Sequence, residues 1–198
     1  IGQLTPNLNM TSLAKYSADL YVHLEKETGI STGVKQNGSL TVALTEHRHE
    51  EILRQASMAK AFDVEVNEIS ISELKSFHPF LNVDGVKGAV HLPLDGQGDP
   101  ANIAMALAKG ARDLGVKIFE DTKVTGLNTH NNSVSGVHWE NENGKGLIKT
   151  ENAANCAGMW ARDFAESHGV TVPLHACEHF SIVTEPVKNL STLPVLRM

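Results

Sequence analysis

Two stretches of this 198-residue chain carry residue types at spacings that could do chemistry. The first, Gly96-Gln97-Gly98-Asp99-Pro100-Ala101, matches G-x-G-x-x-A. It follows a strand-like run, opens a helix, and has Glu120 near the offset of a ribose-binding carboxylate. A pyrophosphate at such a helix start needs bare N–H groups and no competing anion. Asp99 supplies an anion there, Pro100 removes a donor, and Pro93 interrupts the preceding strand. The pattern therefore reads as a capped loop, with Asp99 as N-cap and Pro100 in the first helical position. The second stretch is Ala153-Ala154-Asn155-Cys156-Ala157-Gly158-Met159-Trp160. Small residues running into glycine and then a helix let backbone approach a ligand and aim helix N–H groups at an anion. A tight strand-to-helix packing turn accounts for the same residues equally well.

A third candidate lies near the C-terminus. Over 176–184 a strand would put Cys177, His179, Ser181 and Val183 on one face and Glu178, Phe180, Ile182 and Thr184 on the other. The His179–Ser181 face could line a site, or the segment could be a half-solvated edge strand. His47 and His49 make an H-x-H without the acidic or thiol partners of a zinc pattern, so they read as a solvated helix start and no metal is expected. Neither G-x-S-x-G nor H-E-x-x-H occurs.

These residues need elements to hold them. Apolar residues at helical spacing predict helices over 11–28, 46–62, 100–114 and 160–167. Ser70 and Glu73 form a capping box opening a short helix, and Pro79 stops it at His78. Strands are predicted at 39–45, 64–69, 88–92, 116–119, 153–157 and 176–184. A three-stranded meander is predicted at 123–128, 134–139 and 147–153, with turns at His130-Asn131-Asn132 and Asn143-Gly144. The fold class is a mixed α/β chain.

Composition sets the outer bounds. Hydrophobic residues make up 41% and charged residues 20%, which suits a globular chain and excludes wholesale disorder. The net charge of −6 argues against nucleic-acid binding. No apolar run approaches the ~18 residues of a membrane span. Cys156 and Cys177 are too sparse for a disulfide framework, so reduced thiols in a cytosol-like compartment are expected. The chain opens on Ile1 without an initiator Met and reads as a piece of a longer protein.

Taken together, several stretches resemble one family. They are the 153–162 stretch, Val172-Pro173-Leu174, Glu178-His179-Phe180 and Val183-Thr184-Glu185-Pro186, with Asn9-Met10-Thr11, Leu13 to Ser17, Lys35 to Leu40 and Asp95 to Pro100. In one collinear order along the chain they resemble the sarcosine/dimethylglycine dehydrogenases, FAD-dependent amine oxidoreductases of the D-amino-acid-oxidase superfamily. The resemblance runs along essentially the whole chain.

It implies part of a FAD/NAD(P)-binding fold with a three-stranded β-meander, plus a mixed-sheet substrate domain. The implied organisation is a connecting helix region at 1–32, substrate domain at 33–95 and 172–198, and FAD-binding domain at 96–171. The family's GxGxxG segment and C-terminal part would lie outside. By resemblance, backbone near Val124 meets the adenine end of FAD, and Ala157, Gly158 and Trp160 lie against the cofactor. His179 is the implied catalytic residue, with His179 and Ser181 toward the substrate. Relatives often carry tyrosine where Ser181 stands.

The implied reaction is oxidative demethylation of an N-methyl amino acid such as sarcosine or dimethylglycine. Hydride passes to the flavin, and the one-carbon unit goes to water or tetrahydrofolate. A glycine-oxidase-like enzyme and a non-catalytic binding module are the alternatives. A substrate carboxylate calls for an arginine, and Arg48, Arg54, Arg112, Arg162 and Arg197 are the candidates. The implied location is cytoplasmic in a bacterium or the mitochondrial matrix in a eukaryote.

Overall fold

The apolar residues between 39 and 92 serve both faces of one sheet. The computed structural model describes residues 1–188, 190 and 192–198; Asn189 and Ser191, within the 172–198 stretch assigned to the substrate domain, lie outside the described residues. Strand β1 (Ser39–Ala43) is buried at every position. It pairs antiparallel with β3 (Gly88–Leu92), Ser39 opposite Leu92 and Ala43 opposite Gly88. Strand β2 (Asn67–Ile69) adds antiparallel to β3, and β7 (Val195–Arg197) adds parallel to β1. The order is β2-β3-β1-β7, a mixed sheet.

Side chains alternate across a strand. Ala43, Val90 and Leu92 therefore meet Ile52, Ala56 and Ala59 of helix α2 (Glu46–Ala61) on one face. Leu40, Val42 and Ala89 meet Leu74 of α3 (Ile71–Phe77) on the other. Leu40, Ile52 and Leu74 are wholly buried, and truncating one to alanine costs about 2–5 kcal/mol.

Each long helix starts where a side chain satisfies its first N–H groups. For α1 (Leu8–Thr28) Asn7 accepts from the Met10 N–H at 2.9 Å, which starts the helix three residues before the expected Thr11. Thr45 caps α2 through the Arg48 N–H. The Ser70–Glu73 box forms as expected: the Ser70 N–H donates to Glu73 at 2.8 Å, and Ser70 Oγ accepts from the Glu73 N–H. Asp99 caps α4 (Pro100–Asp113), accepting from Ala101 and Asn102 at 2.9 and 3.1 Å. Helices α1 and α4 pack through Leu24, Ile103 and Ala106.

The G-x-G spacing has a packing cause. Lys35 and Gln97 exchange backbone hydrogen bonds of 2.9 and 3.0 Å. A Cβ on Gly96 would lie 2.1 Å from the Lys35 carbonyl oxygen. Beside it the fully buried Asp95 accepts from the Gln3 N–H at 2.9 Å and from Ser39 Oγ at 2.6 Å.

The chain divides into two compact units. The first is Ile1–Val116 with Thr184–Met198, and the second is Lys117–Val183. The second holds the expected meander, β4 (Lys123–His130), β5 (Ser133–Asn141) and β6 (Gly144–Lys149), in antiparallel order. Asn131 and Asn132 turn at φ of 49° and 62°, the pair of positive values a tight two-residue hairpin requires. A 3-10 turn (Gly158–Trp160) leads into α5 (Ala161–Glu166). His168 ties α5 to the meander: its Nε2 accepts from the Leu127 N–H at 2.8 Å.

Three expected strands are absent. Residues 116–119, 153–157 and 176–184 join no ladder. A strand exists through its neighbour's backbone groups, and none of the described residues supplies one beside these segments. The third meander strand ends at Lys149 and does not run to Ala153, and β7 was not foreseen. Among the described residues no helix is long and apolar enough to cross a membrane.

Candidate functional site

The second unit contains a cavity of about 560 Å³ lined by Lys123, Val124, Ala154 to Ala157, Trp160, Asp163 and Phe164. Its floor and walls come from three places: the first residues of β4, the irregular segment after the meander, and the 3-10 turn with α5. Val124 sits opposite Trp139 in the β4–β5 ladder, next to a register shift before Gly126, and is nearly half exposed. A bulge re-aims the side chains beside it.

Asn155 holds the turn that forms the other wall. Its side-chain oxygen accepts from the Ala157 N–H at 3.2 Å, and its amide donates to the Ala161 carbonyl at 2.9 Å. Asparagine is suited to both bonds, since its short side chain can mimic a backbone turn. Gly158 then takes a left-handed φ of 55°, and a Cβ there would meet no atom within 4 Å. The small residues thus leave backbone open to a ligand, as a close-contact turn requires. Trp160 is 68% exposed at the cavity edge, a broad aromatic surface open to solvent. Lys123 and Asp163 supply the charges in the lining. Such a lining can receive a flat ring against Trp160 and Val124, with polar edges met by backbone.

Of the residues singled out from sequence, Val124, Ala157 and Trp160 meet at this cavity, and Gly158 lies in the turn between the last two. His179 and Ser181 do not line it. They lie in an exposed segment without strand structure, where Phe180, Ile182 and Val183 are each more than nine-tenths exposed. Asn155, Lys123, Asp163 and Phe164 were not foreseen as lining. An asparagine two residues before Ala157-Gly158 was the available signal for the first; the others face the cavity only because the meander and α5 fold together.

Of the candidate arginines, Arg48 and Arg162 have acidic partners. Arg48 pairs with Glu51 at 2.8 Å, and that hydrogen bond holds the Glu51 carboxyl below its ordinary range. Arg162 pairs with Glu166 at 2.9 Å, which raises the guanidinium further. His49 packs against Gly88, where a Cβ would come within 2.3 Å of the ring. Both cysteines are free and exposed. Among the described residues no group of three or more His, Cys, Asp or Glu is placed to hold a metal ion. At the G-x-G loop the first N–H groups of α4 are taken by Asp99, which leaves that helix end filled by its own anion.

Residues 2–197 match the family of FAD dependent oxidoreductases. The chain belongs to this family. Human mitochondrial sarcosine dehydrogenase is 37% identical over 179 residues, covering 88% of this chain and 19% of that protein. The mouse mitochondrial pyruvate dehydrogenase phosphatase regulatory subunit is 38% identical over 176 residues, covering 88% of this chain and 20% of that one. Among solved structures, L-proline dehydrogenase from P. horikoshii superposes with a TM-score of 0.82 at 26% identity, over 99% of this chain and 51% of that chain. The chain therefore spans about a fifth of the length of these curated relatives. The resemblance read from sequence is thereby established, and the mixed fold with a separate meander is that of an FAD-dependent oxidoreductase.

Proposed function

We propose that this chain is part of a flavoenzyme that oxidatively demethylates a small N-methyl amino acid such as sarcosine or dimethylglycine. The observation that carries the reading is the meeting of Val124, Ala157 and Trp160 around one cavity in a chain of this family. The likeness to sarcosine dehydrogenase supports the substrate class. In this reading residues 96–171 serve the cofactor, 33–95 and 172–198 the substrate, and 1–32 connects them.

The open turn and the exposed indole suit the adenine end of FAD: Trp160 would take the ring, and backbone at Val124, Ala157 and Gly158 would meet its polar edge. When bound, FAD supplies the acceptor for the hydride of the substrate's C–H bond. Asn155 keeps the turn in shape for that contact. The amine reacts only in its neutral form. His179 accepts the ammonium proton, and Ser181 hydrogen-bonds the substrate. Tetrahydrofolate or water takes the one-carbon unit. The protein works in the cytoplasm or the mitochondrial matrix.

The test is anaerobic mixing of the FAD-loaded protein with sarcosine, dimethylglycine, glycine and L-proline while the flavin absorbance is followed. Bleaching fastest with the N-methyl amino acids is expected. Bleaching by glycine or proline alone would favour a different amino-acid oxidase of the family. A flavin-loaded protein bleached by none of them would favour a non-catalytic member, the reading that the likeness to the phosphatase regulatory subunit supports.

A further inference from the structure

One side chain of the second unit joins the meander to α5 through both nitrogens of its ring. Strand β4 is an edge of the three-stranded sheet, so its outward N–H groups need acceptors from elsewhere. The Leu127 N–H finds one in His168 Nε2 at 2.8 Å. On the other side of the ring, Nδ1 lies 2.9 Å from the Phe164 carbonyl oxygen. Ser167 Oγ is also 2.9 Å from Nδ1, and it donates to the same carbonyl at 2.7 Å. The imidazole and the Phe164 ring stand 4.9 Å apart.

These partners fix the tautomer. A backbone N–H only donates and a carbonyl only accepts, so Nε2 carries the lone pair and Nδ1 the proton. Protonation turns Nε2 into a second donor facing the Leu127 N–H, and that bond is lost. The charged and titratable side chains on the surrounding elements are Arg162, Asp163 and Glu166 of α5, with Lys123, His130, His138 and Glu140 of β4 and β5. Arg162 and Glu166 pair with each other. His138 stands opposite Gly126, where a Cβ would lie 3.6 Å from His168 Nε2. It is therefore the group whose own titration has to be separated from that of His168.

The elements that His168 joins are walls of the 560 Å³ cavity: Lys123 and Val124 come from β4, Asp163 and Phe164 from α5. We propose that His168 is a positioning residue that clips these walls together while its ring is neutral and releases them when the ring takes a proton. That the clip governs the hold on an adenine ring rests on the function proposed above; the clip itself rests on the two hydrogen bonds.

The experiment uses the FAD-loaded protein containing this chain. Two quantities are read: FAD affinity, from flavin fluorescence as the apoprotein is reconstituted, and the hydrogen-exchange protection of the Leu127 amide. His168→Phe keeps a ring beside Phe164 and loses both nitrogens. It is expected to strip the Leu127 protection and weaken FAD binding by about 3- to 10-fold. His168→Gln offers the Leu127 N–H a carbonyl that does not titrate. It is expected to recover most of the affinity and to abolish its dependence on pH. In wild type and in His138→Gln, both quantities are expected to fall together as the pH is lowered within the range where the protein stays folded. This pH arm decides the matter if His168→Phe does not fold. Unchanged Leu127 protection in folded His168→Phe, or a pH response that persists in His168→Gln, would overturn the clip. Lost protection with FAD affinity unmoved would keep the clip and sink the placement of adenine in this cavity.

Discussion

His91 is held neutral by its surroundings. Burial pushes its imidazole below the ordinary value of 6.5, against the opposing pull of Glu65 and Asp95, and the Phe77 ring lies 4.4 Å away. In the unfolded chain the ring takes its proton near 6.5; in the folded chain it does so only at lower pH. Between those values the unfolded state binds more protons. The stability is therefore full above about pH 6.5 and falls as the pH drops toward the folded value. Thermal melts from pH 7.5 down to 5.5 are expected to show this loss, and His91→Gln is expected to flatten it. A wild-type profile as flat as the mutant's would rule it out. Asp99 gives a second prediction at this scale. Asp99→Ala leaves the first N–H groups of α4 without their acceptor and is expected to cost about 0.5–2 kcal/mol in denaturant unfolding. Higher dinucleotide affinity without destabilisation would instead restore the fingerprint reading. His179 belongs here as a proposal. In the flavin-loaded protein His179→Ala is expected to slow flavin reduction by about 10²-fold or more, and unchanged single-turnover reduction would leave it as scaffold.

At the scale of elements, what could be read from sequence follows from how local each cause is. The Ser70–Glu73 box, the Asp99-Pro100 helix start and the His130-Asn131-Asn132 turn are decided by residues next to one another, and all three form as expected. The strands at 39, 88 and 123 were legible because alternation and turns bracket them. Segments 153–157 and 176–184 have the composition of strands, yet a ladder needs a partner, and none of the described residues provides it. For the same reason β7 has no signature in the sequence: three residues beside β1 become a strand only through a neighbour far along the chain. The candidate cavity shows the same division. Val124, Ala157 and Trp160 came from resemblance, while Lys123, Asp163 and Phe164 depend on tertiary packing. The G-x-G loop offers a test of a non-local cause. Gly96→Ala forces a Cβ against the Lys35 carbonyl, whose backbone cannot swing aside as a side chain would. A loss of about 1–3 kcal/mol is expected in denaturant unfolding. Unchanged stability would mean that the 35–97 bridge is not the reason for glycine there.

For the whole chain, the three clusters of buried hydrophobics lie among residues of the first unit. The second unit exposes Phe119, Val124, Leu147, Ile148 and Trp160. Helix N-termini extend the contrast to the cofactor. Asn7, Thr45, Ser70 and Asp99 each cap their own helix, so α1 to α4 offer a diphosphate no open set of N–H donors. The cavity by Trp160, proposed above to take the adenine ring, carries a single lysine in its lining. A flavin dinucleotide has two rings joined by a diphosphate, and the proposed site among the described residues would take one of the three parts. The 198-residue chain on its own is therefore expected to hold FAD weakly. Purified and desalted, it should show little of the visible flavin absorbance, and added FAD should be removed by gel filtration. Ala157→Phe, which fills the cavity, should lower the residual affinity, read as fluorescence quenching on titration. A desalted chain carrying one flavin per polypeptide would refute this, because a diphosphate would then be held by groups other than these helix ends.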